Sequence, residues 1–264
     1  MTRLGYERYC DEITAQARLF REALQGADLK ATVPTCPDWT VGDLTRHLGG
    51  ALRWMAETVR TRATEPVSEE RIPGAAGPDD GEPAALGAWL RESAALAAGA
   101  LSEAGPGTAV WSWTDERSTD FWVRRAVHET VVHRADAALA VGVPYELDPE
   151  VAADSLEEWL EIGSLPQTME RRPELARLLG PGRTIHLHAT DTDPDKDGGE
   201  WLIDLTGEAI TWRRGHEKAA VALRGPMKDL LLVFYRRLSV EDADVTVIGD
   251  RALLDEWLEL VSFG

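Results

Sequence analysis

Apolar residues recur at steps of three and four through the first half of the chain. Tyr6, Cys10, Ile13, Ala17, Phe20 and Leu24 mark one stripe; Leu44, His47/Leu48, Ala51, Trp54/Met55 and Val59 mark a second. Leu86, Trp89/Leu90, Leu96/Ala97 and Ala100/Leu101 mark a third. A fourth predicted helix covers about 120–141, with Trp122, Arg125/Ala126, Glu129, Val132/His133 and Asp136/Ala137 on one side. This period predicts amphipathic helices, and four of comparable length predict an antiparallel bundle. A shorter helix over about 150–163 is grouped with them, so the helical domain is expected to span 1–165. Thr40 followed by Asp43 predicts an N-cap for the second helix, and Gly142-Val143-Pro144 predicts the end of the fourth. Residues 33–39 read as an extended linker, because prolines disfavour helix in the residue before them. Residues 64–83, rich in Glu, Pro, Gly and Asp, read as a mobile surface loop.

After Gly180-Pro181-Gly182 the period changes to two. Ile185, Leu187 and Ala189 alternate with His186 and His188, and strands are predicted at 201–205, 209–213, 219–223 and 245–248. Pro226 opens a predicted helix running through Leu238, and a last helix ends near Val261. The expected second domain is a small α+β fold over 180–264.

The chain has 264 residues, with 44% hydrophobic and 28% charged, the balance of a globular protein. No apolar run approaches the ~20 residues of a membrane-spanning helix, and no signal peptide is readable at the N-terminus. Two cysteines, Cys10 and Cys36, make no disulfide framework. The expectation is a cytoplasmic monomer without a membrane partner. The net charge of −18 repels phosphate backbones, which argues against nucleic acid. It also repels small anions, so an anionic substrate would need a local cationic group.

Glu129 and His133 stand four apart on one helix and share a face. His47 lies on the apolar stripe of another. Two histidines and a carboxylate around an open position form a catalytic zinc set, and bundles build metal sites this way. The spacing alone equally describes a solvated Glu–His pair.

The wider segments change the picture. Val33-Pro34-Thr35-Cys36-Pro37-Asp38-Trp39-Thr40-Val41-Gly42-Asp43-Leu44-Thr45-Arg46-His47-Leu48-Gly49-Gly50 closely resembles the N-terminal signature of the mycothiol-dependent maleylpyruvate isomerase family, whose first domain is a DinB-like metal-binding four-helix bundle. Residues 121–137, Phe121-Trp122 through Asp136-Ala137, resemble its second signature. The stretches Leu223-Arg224-Gly225-Pro226 and 247–254 are similar to its C-terminal sterol-carrier-like domain. The resemblance implies that His47, Glu129 and His133 bind a metal, with zinc the expected ion. It implies mycothiol, the low-molecular-weight thiol of actinobacteria, as the thiol cofactor or cosubstrate. The expected activity is isomerisation of a small conjugated electrophile, or S-transfer to it. The family's second-domain helix ends in an aromatic-Gly-Arg pattern whose arginine is implicated in catalysis. The matching stretch is Phe234-Tyr235-Arg236-Arg237, so Arg237 is the first catalytic candidate and Arg236 the second.

Other residues carry weaker signals. Trp54 and Trp122 lie two turns from His47 and Glu129 and are candidates to line a pocket for the thiol. Asp136 is a candidate to hold a ligand imidazole, and His128 points about 100° away from Glu129. Residues 193–204 fit a calcium-loop spacing, but the flanks read as strands. His186 and His188 share a strand face without a third ligand identifiable nearby, and His216 reads as exposed. A zinc hydrolase on the same ligands, or a non-catalytic metal- or lipid-binding protein, is the rival class. Because imidazole must be neutral to ligate, metal affinity is expected to fall below about pH 6.5.

Overall fold

The computed structural model describes residues 3–78, 82–192 and 199–261. Four helices build the first of two units, Leu4–Tyr145: α1 (Tyr6–Ala23), α2 (Val41–Arg60), α3 (Pro83–Ala104) and α4 (Thr119–Val141). Helix α1 packs on α3 and α4, and α2 packs on the same two. Ile13, Phe20, Leu44, Leu48, Leu90 and Val127 are fully buried between them. A Cβ at Gly49 would lie 2.1 Å from the Trp89 ring, so glycine there lets an α3 indole close directly onto α2. Helix α2 begins with the expected capping box, Thr40 with Asp43. Helix α4 ends at Gly142, in the left-handed conformation at φ 69°.

Two connections differ from their expectation. Residues 33–39 are not a plain linker: β1 (Thr32–Val33) and β2 (Cys36–Thr40) form a small antiparallel hairpin. The loop from 64 on is pinned by donors from the bundle. Trp54 Nε1 donates to the Val67 carbonyl at 2.9 Å, an Arg53 nitrogen to Pro73 at 3.2 Å, and Trp89 Nε1 to Gly74 at 3.0 Å. Ile72 is buried beneath it. Composition predicts a polar loop but carries no record of which side chains elsewhere will satisfy its carbonyls.

The second unit runs from Glu146 onward. It holds α5 (Pro149–Gly163), α6 (Pro166–Arg171), β3 (Thr184–Ala189), β4 (Glu200–Asp204), β5 (Thr211–Arg214), β6 (Val221–Gly225), α7 (Met227–Phe234), β7 (Thr246–Gly249) and α8 (Arg251–Val261). The strands form one sheet in the order β5-β4-β3-β6-β7, with β3 and β6 parallel and the other neighbours antiparallel. Sequence grouping placed the helix at 150–163 with the bundle; here α5 lies in the sheet unit, against α7. The cause is polar. Glu157 is buried on α5 and accepts from Trp201 Nε1 of β4 at 2.8 Å and from two Arg214 nitrogens of β5 at 2.6 and 2.5 Å. The Tyr235 hydroxyl adds a bond to the Ser155 carbonyl at 3.0 Å. Half of the 193–204 calcium-loop pattern, residues 193–198, lies outside the described residues.

Helix α7 stops at Phe234, not at Leu238. The Arg236 N–H bonds the Val233 carbonyl at 2.9 Å, and the Arg237 N–H bonds Leu232 at 2.7 Å. These are the two bonds of a Schellman motif, with Arg236 in the left-handed position at φ 55°. The family pattern has glycine there, which adopts this conformation without a Cβ clash. Arg236→Gly should therefore raise stability by about 1 kcal/mol, and Arg236→Val, branched at Cβ, should lower it further than the wild type. Thermal melts of the two variants check the assignment; equal melting temperatures would contradict it.

Candidate metal centre

Helices α2 and α4 bring three candidate ligands together in the first unit. Glu129 Oε1 lies 3.3 Å from His47 Nε2 and 3.2 Å from His133 Nε2. One ligand atom from each residue falls within 4.8 Å of the other two. The imidazole rings of His47 and His133 meet edge to face, with centroids 4.9 Å apart. The helical spacing accounts for Glu129 with His133; only the crossing of α2 over α4 supplies His47.

Each ligand is held from behind. His133 Nδ1 faces Asp136 Oδ2 at 2.9 Å, and the other Asp136 oxygen accepts from the Thr35 hydroxyl at 2.6 Å. Metal-free, a protonated His133 donates from Nδ1 to Asp136 and from Nε2 to Glu129; loss of the Nε2 proton would free that lone pair for a metal while Asp136 keeps the proton on Nδ1. Arg125 donates to Glu129 Oε2 at 2.8 Å, leaving Oε1 for the two imidazoles. Trp39 of the β2 strand packs on His47 with ring centroids 4.7 Å apart. Thr35, Trp39 and Arg125 thus support the centre, roles that no periodicity disclosed. Both hairpin residues lie inside the first signature segment, which was the available signal.

Electrostatics follow from these contacts. Burial pushes the Glu129 carboxyl up, but hydrogen bonds from His133 and His47 and the charge of Arg125 hold it well below the usual carboxylate range. Burial pulls the His133 imidazole down, yet Asp136 and Glu129 outweigh it and raise its pKa to about 9. The donor set fits a divalent metal: two imidazole nitrogens and a carboxylate oxygen converge, each backed by a second group, as metal-ligating histidines and carboxylates ordinarily are. His47, whose side chain is 40% exposed, opens the set to solvent on one side.

That side is a cleft of about 740 Å³, lined by Arg46, His47, Gly50, Trp54, Glu69 and Ile72, among others. Trp54 reaches it as expected. Trp122 does not: it is fully buried, its Nε1 bonds the Trp111 carbonyl at 2.6 Å, and its ring supports Trp54 edge-on at 5.2 Å. Arg46 is a cation of the cleft that sequence reading missed, although it directly precedes His47. His128 is fully buried against Tyr9 of α1, with ring centroids 6.3 Å apart. Arg236 and Arg237 belong to the second unit, where the Arg237 guanidinium donates to the Tyr235 carbonyl at 2.7 Å. His186 and His188 do share a strand face, and Glu200 and His216 join them. Burial holds the His186 imidazole below its ordinary pKa.

Among the described residues no helix is long and apolar enough to cross a membrane. A search of curated proteins finds no match. Two solved structures are similar in fold, those of mycothiol-dependent maleylpyruvate isomerase and of a histidine-to-alanine mutant of it. Each shares 14% identity over 94% of this chain and 95% of the other, with TM-scores of 0.53 and 0.55. The family models for the mycothiol maleylpyruvate isomerase N-terminal and C-terminal domains match residues 10–138 and 150–256. Two models that together account for most of the chain, in the order of its two units, place it: the protein belongs to the mycothiol-dependent maleylpyruvate isomerase family of enzymes.

Proposed function

We propose that the protein is a zinc-dependent, mycothiol-using enzyme that isomerises a small conjugated electrophile of the maleylpyruvate type. The convergence of His47, Glu129 and His133, with His47 on the wall of the cleft, carries this reading. These three residues would hold the metal. Metal and thiol together would supply a thiolate at neutral pH, whose reversible addition to a cis double bond conjugated with a carbonyl frees that bond to rotate. With a less readily eliminated electrophile, the same residues would support S-transfer.

The chain's own residues bind and orient. Asp136 fixes the His133 tautomer, and Arg125 offsets part of the Glu129 charge, so the triad keeps both imidazoles turned to one point. Arg46 supplies positive potential in the cleft, where an acidic substrate must approach a chain of net charge −18. Trp54 forms an apolar wall whose N–H is already used by Val67, so it shields without competing for substrate hydrogen bonds. Arg237 is the second candidate cation for the substrate, on the strength of the family's aromatic-Gly-Arg pattern.

Turnover of maleylpyruvate should require both mycothiol and bound metal. Turnover without thiol would identify a hydrolase, and none with both present would defeat the reading. His47→Ala, Glu129→Ala and His133→Ala should each strip zinc from this centre with helix content kept. Asp136→Asn should weaken zinc about 10–100-fold, as metal analysis after dialysis would show. Arg46→Gln and Arg237→Lys should each impair turnover with zinc retained; Arg237→Lys keeps the charge and loses the planar fork. Unchanged steady-state rates in either variant remove that arginine from the site.

The raised His133 pKa, about 9, sets the pH dependence. Below that value a metal must displace a proton, so zinc affinity should climb about tenfold per pH unit towards pH ~9 and then level off. The window is higher than that of an ordinary imidazole, the value on which the sequence expectation rested. For the metal-free fold the sign is opposite. A pKa raised above the unfolded value of about 6.5 stabilises fully below that pH, and the gain is lost as pH rises through ~9. Zinc titrations and metal-free melts between pH 6 and 10 test both trends; flat profiles would contradict them.

A further inference from the structure

The second unit gathers three of the chain's six histidines at one point. His186 and His188 stand two apart on β3 and share a face of the sheet. Glu200 of β4 is the cross-strand partner of His188, which places it on the same face. The opposite face carries Ile185, Leu187, Trp201 and Ile203, all buried. The chain then leaves β5 through Gly215, whose N–H bonds the Glu200 carbonyl at 3.1 Å. That bond sets the next residue, His216, beside the Glu200 side chain.

The imidazole nitrogens close on the carboxylate from three directions. His186 Nε2 lies 3.1 Å from Glu200 Oε2, His188 Nδ1 lies 3.1 Å from Oε1, and His216 Nδ1 lies 2.5 Å from Oε2. Ring centroids are separated by 5.3 to 6.0 Å, each pair edge to face. One ligand atom from each of the four residues falls within 4.8 Å of all the others. A tetrahedral zinc site with bonds of about 2.0–2.1 Å has ligand–ligand edges of about 3.3 Å. The four groups need contract only modestly to reach it.

We propose that His186, His188, Glu200 and His216 form a second metal site, separate from the His47 centre, for a divalent late first-row transition ion such as zinc. Imidazole is a ligand of choice for such ions, and calcium or magnesium would demand more oxygen donors than one carboxylate provides. Four protein ligands complete a tetrahedral shell and leave no open position for substrate, so the site is structural. It staples β3, β4 and the turn after β5. The strongly acidic chain favours retention of a cation there. The competing arrangement is a Glu200 carboxylate that merely accepts hydrogen bonds from three imidazoles.

The test uses the full-length, tag-free chain and zinc as the probe. Equilibrium dialysis with elemental analysis should give two zinc equivalents for the wild type. The His47→Ala/His133→Ala variant should retain one. The His188→Ala/His216→Ala variant should also retain one, and the combination of all four substitutions none. His216 is 75% exposed, so His216→Ala alone leaves the fold intact; it should weaken the second site by about tenfold or more. In the His47→Ala/His133→Ala background, zinc should raise the melting temperature, and His216→Ala should abolish that rise. If the His188→Ala/His216→Ala substitutions leave the stoichiometry unchanged in either background, the second site does not exist and the hydrogen-bonded carboxylate is the correct description. Failure of the His47 centre reads differently: the His47→Ala/His133→Ala variant would then bind as much zinc as the wild type.

Discussion

One carboxylate organises the helical unit. Glu129 points from α4 into a site shared with His47, His133 and Arg125, and each of those groups bonds it. Withdrawing a carboxylate from water costs several kcal/mol unless donors and opposite charge replace its hydration. The position of α2 against α4 and the Arg125 side chain on α4 are therefore conditions of folding as well as of chemistry. The requirement propagates outward. Asp136 is needed to orient His133, and Thr35 to occupy the second Asp136 oxygen. The small hairpin before α2 thus closes a chain of bonds running Thr35, Asp136, His133, Glu129 and His47.

The second unit solves a similar problem with a different outcome. Glu157 is buried on α5 and is satisfied by Trp201 and by both arms of the Arg214 guanidinium. Removing Arg214 would leave the Glu157 charge without compensation, the costly way to break a buried pair. That bond network fastens a helix to a sheet and leaves no open position, so its consequence is architectural. Glu129 differs because one of its partners, His47, remains half in solvent beside a cleft. Solvent access beside the first carboxylate and enclosure of the second follow from that difference.

The cleft depends on a loop whose composition suggests mobility. Its backbone carbonyls meet an arginine and two indole N–H groups, all projecting from α2 and α3. Ordered in this way, the segment around Ile72 lines the cleft together with Arg46 and His47. Side chains that fill the bundle at their bases and bond the loop at their tips couple packing to pocket shape.

Hydrophobic period and local turn chemistry are properties of neighbouring residues, and they were legible in the chain alone. The four bundle helices, the Thr40–Asp43 cap, the Gly142 terminus and the strands after Gly182 belong to this class. So does the pairing of Glu129 with His133, because a helix carries residues four apart onto one face. Contacts between distant segments are a different matter. The assignment of α5 to the sheet unit turns on Glu157 finding Arg214, and the removal of Trp122 from the cleft turns on how four helices close. The stop of α7 at Phe234 required two consecutive N–H groups to fold back on Leu232 and Val233, with Arg236 taking a conformation that its sequence neighbours do not demand. His216 joins His186, His188 and Glu200 only through β-strand register and the turn at Gly215. Local pattern determines which elements form and which faces are apolar. Only the tertiary structure decides which buried charge meets which partner, because that choice depends on desolvation and geometry among residues far apart in the chain.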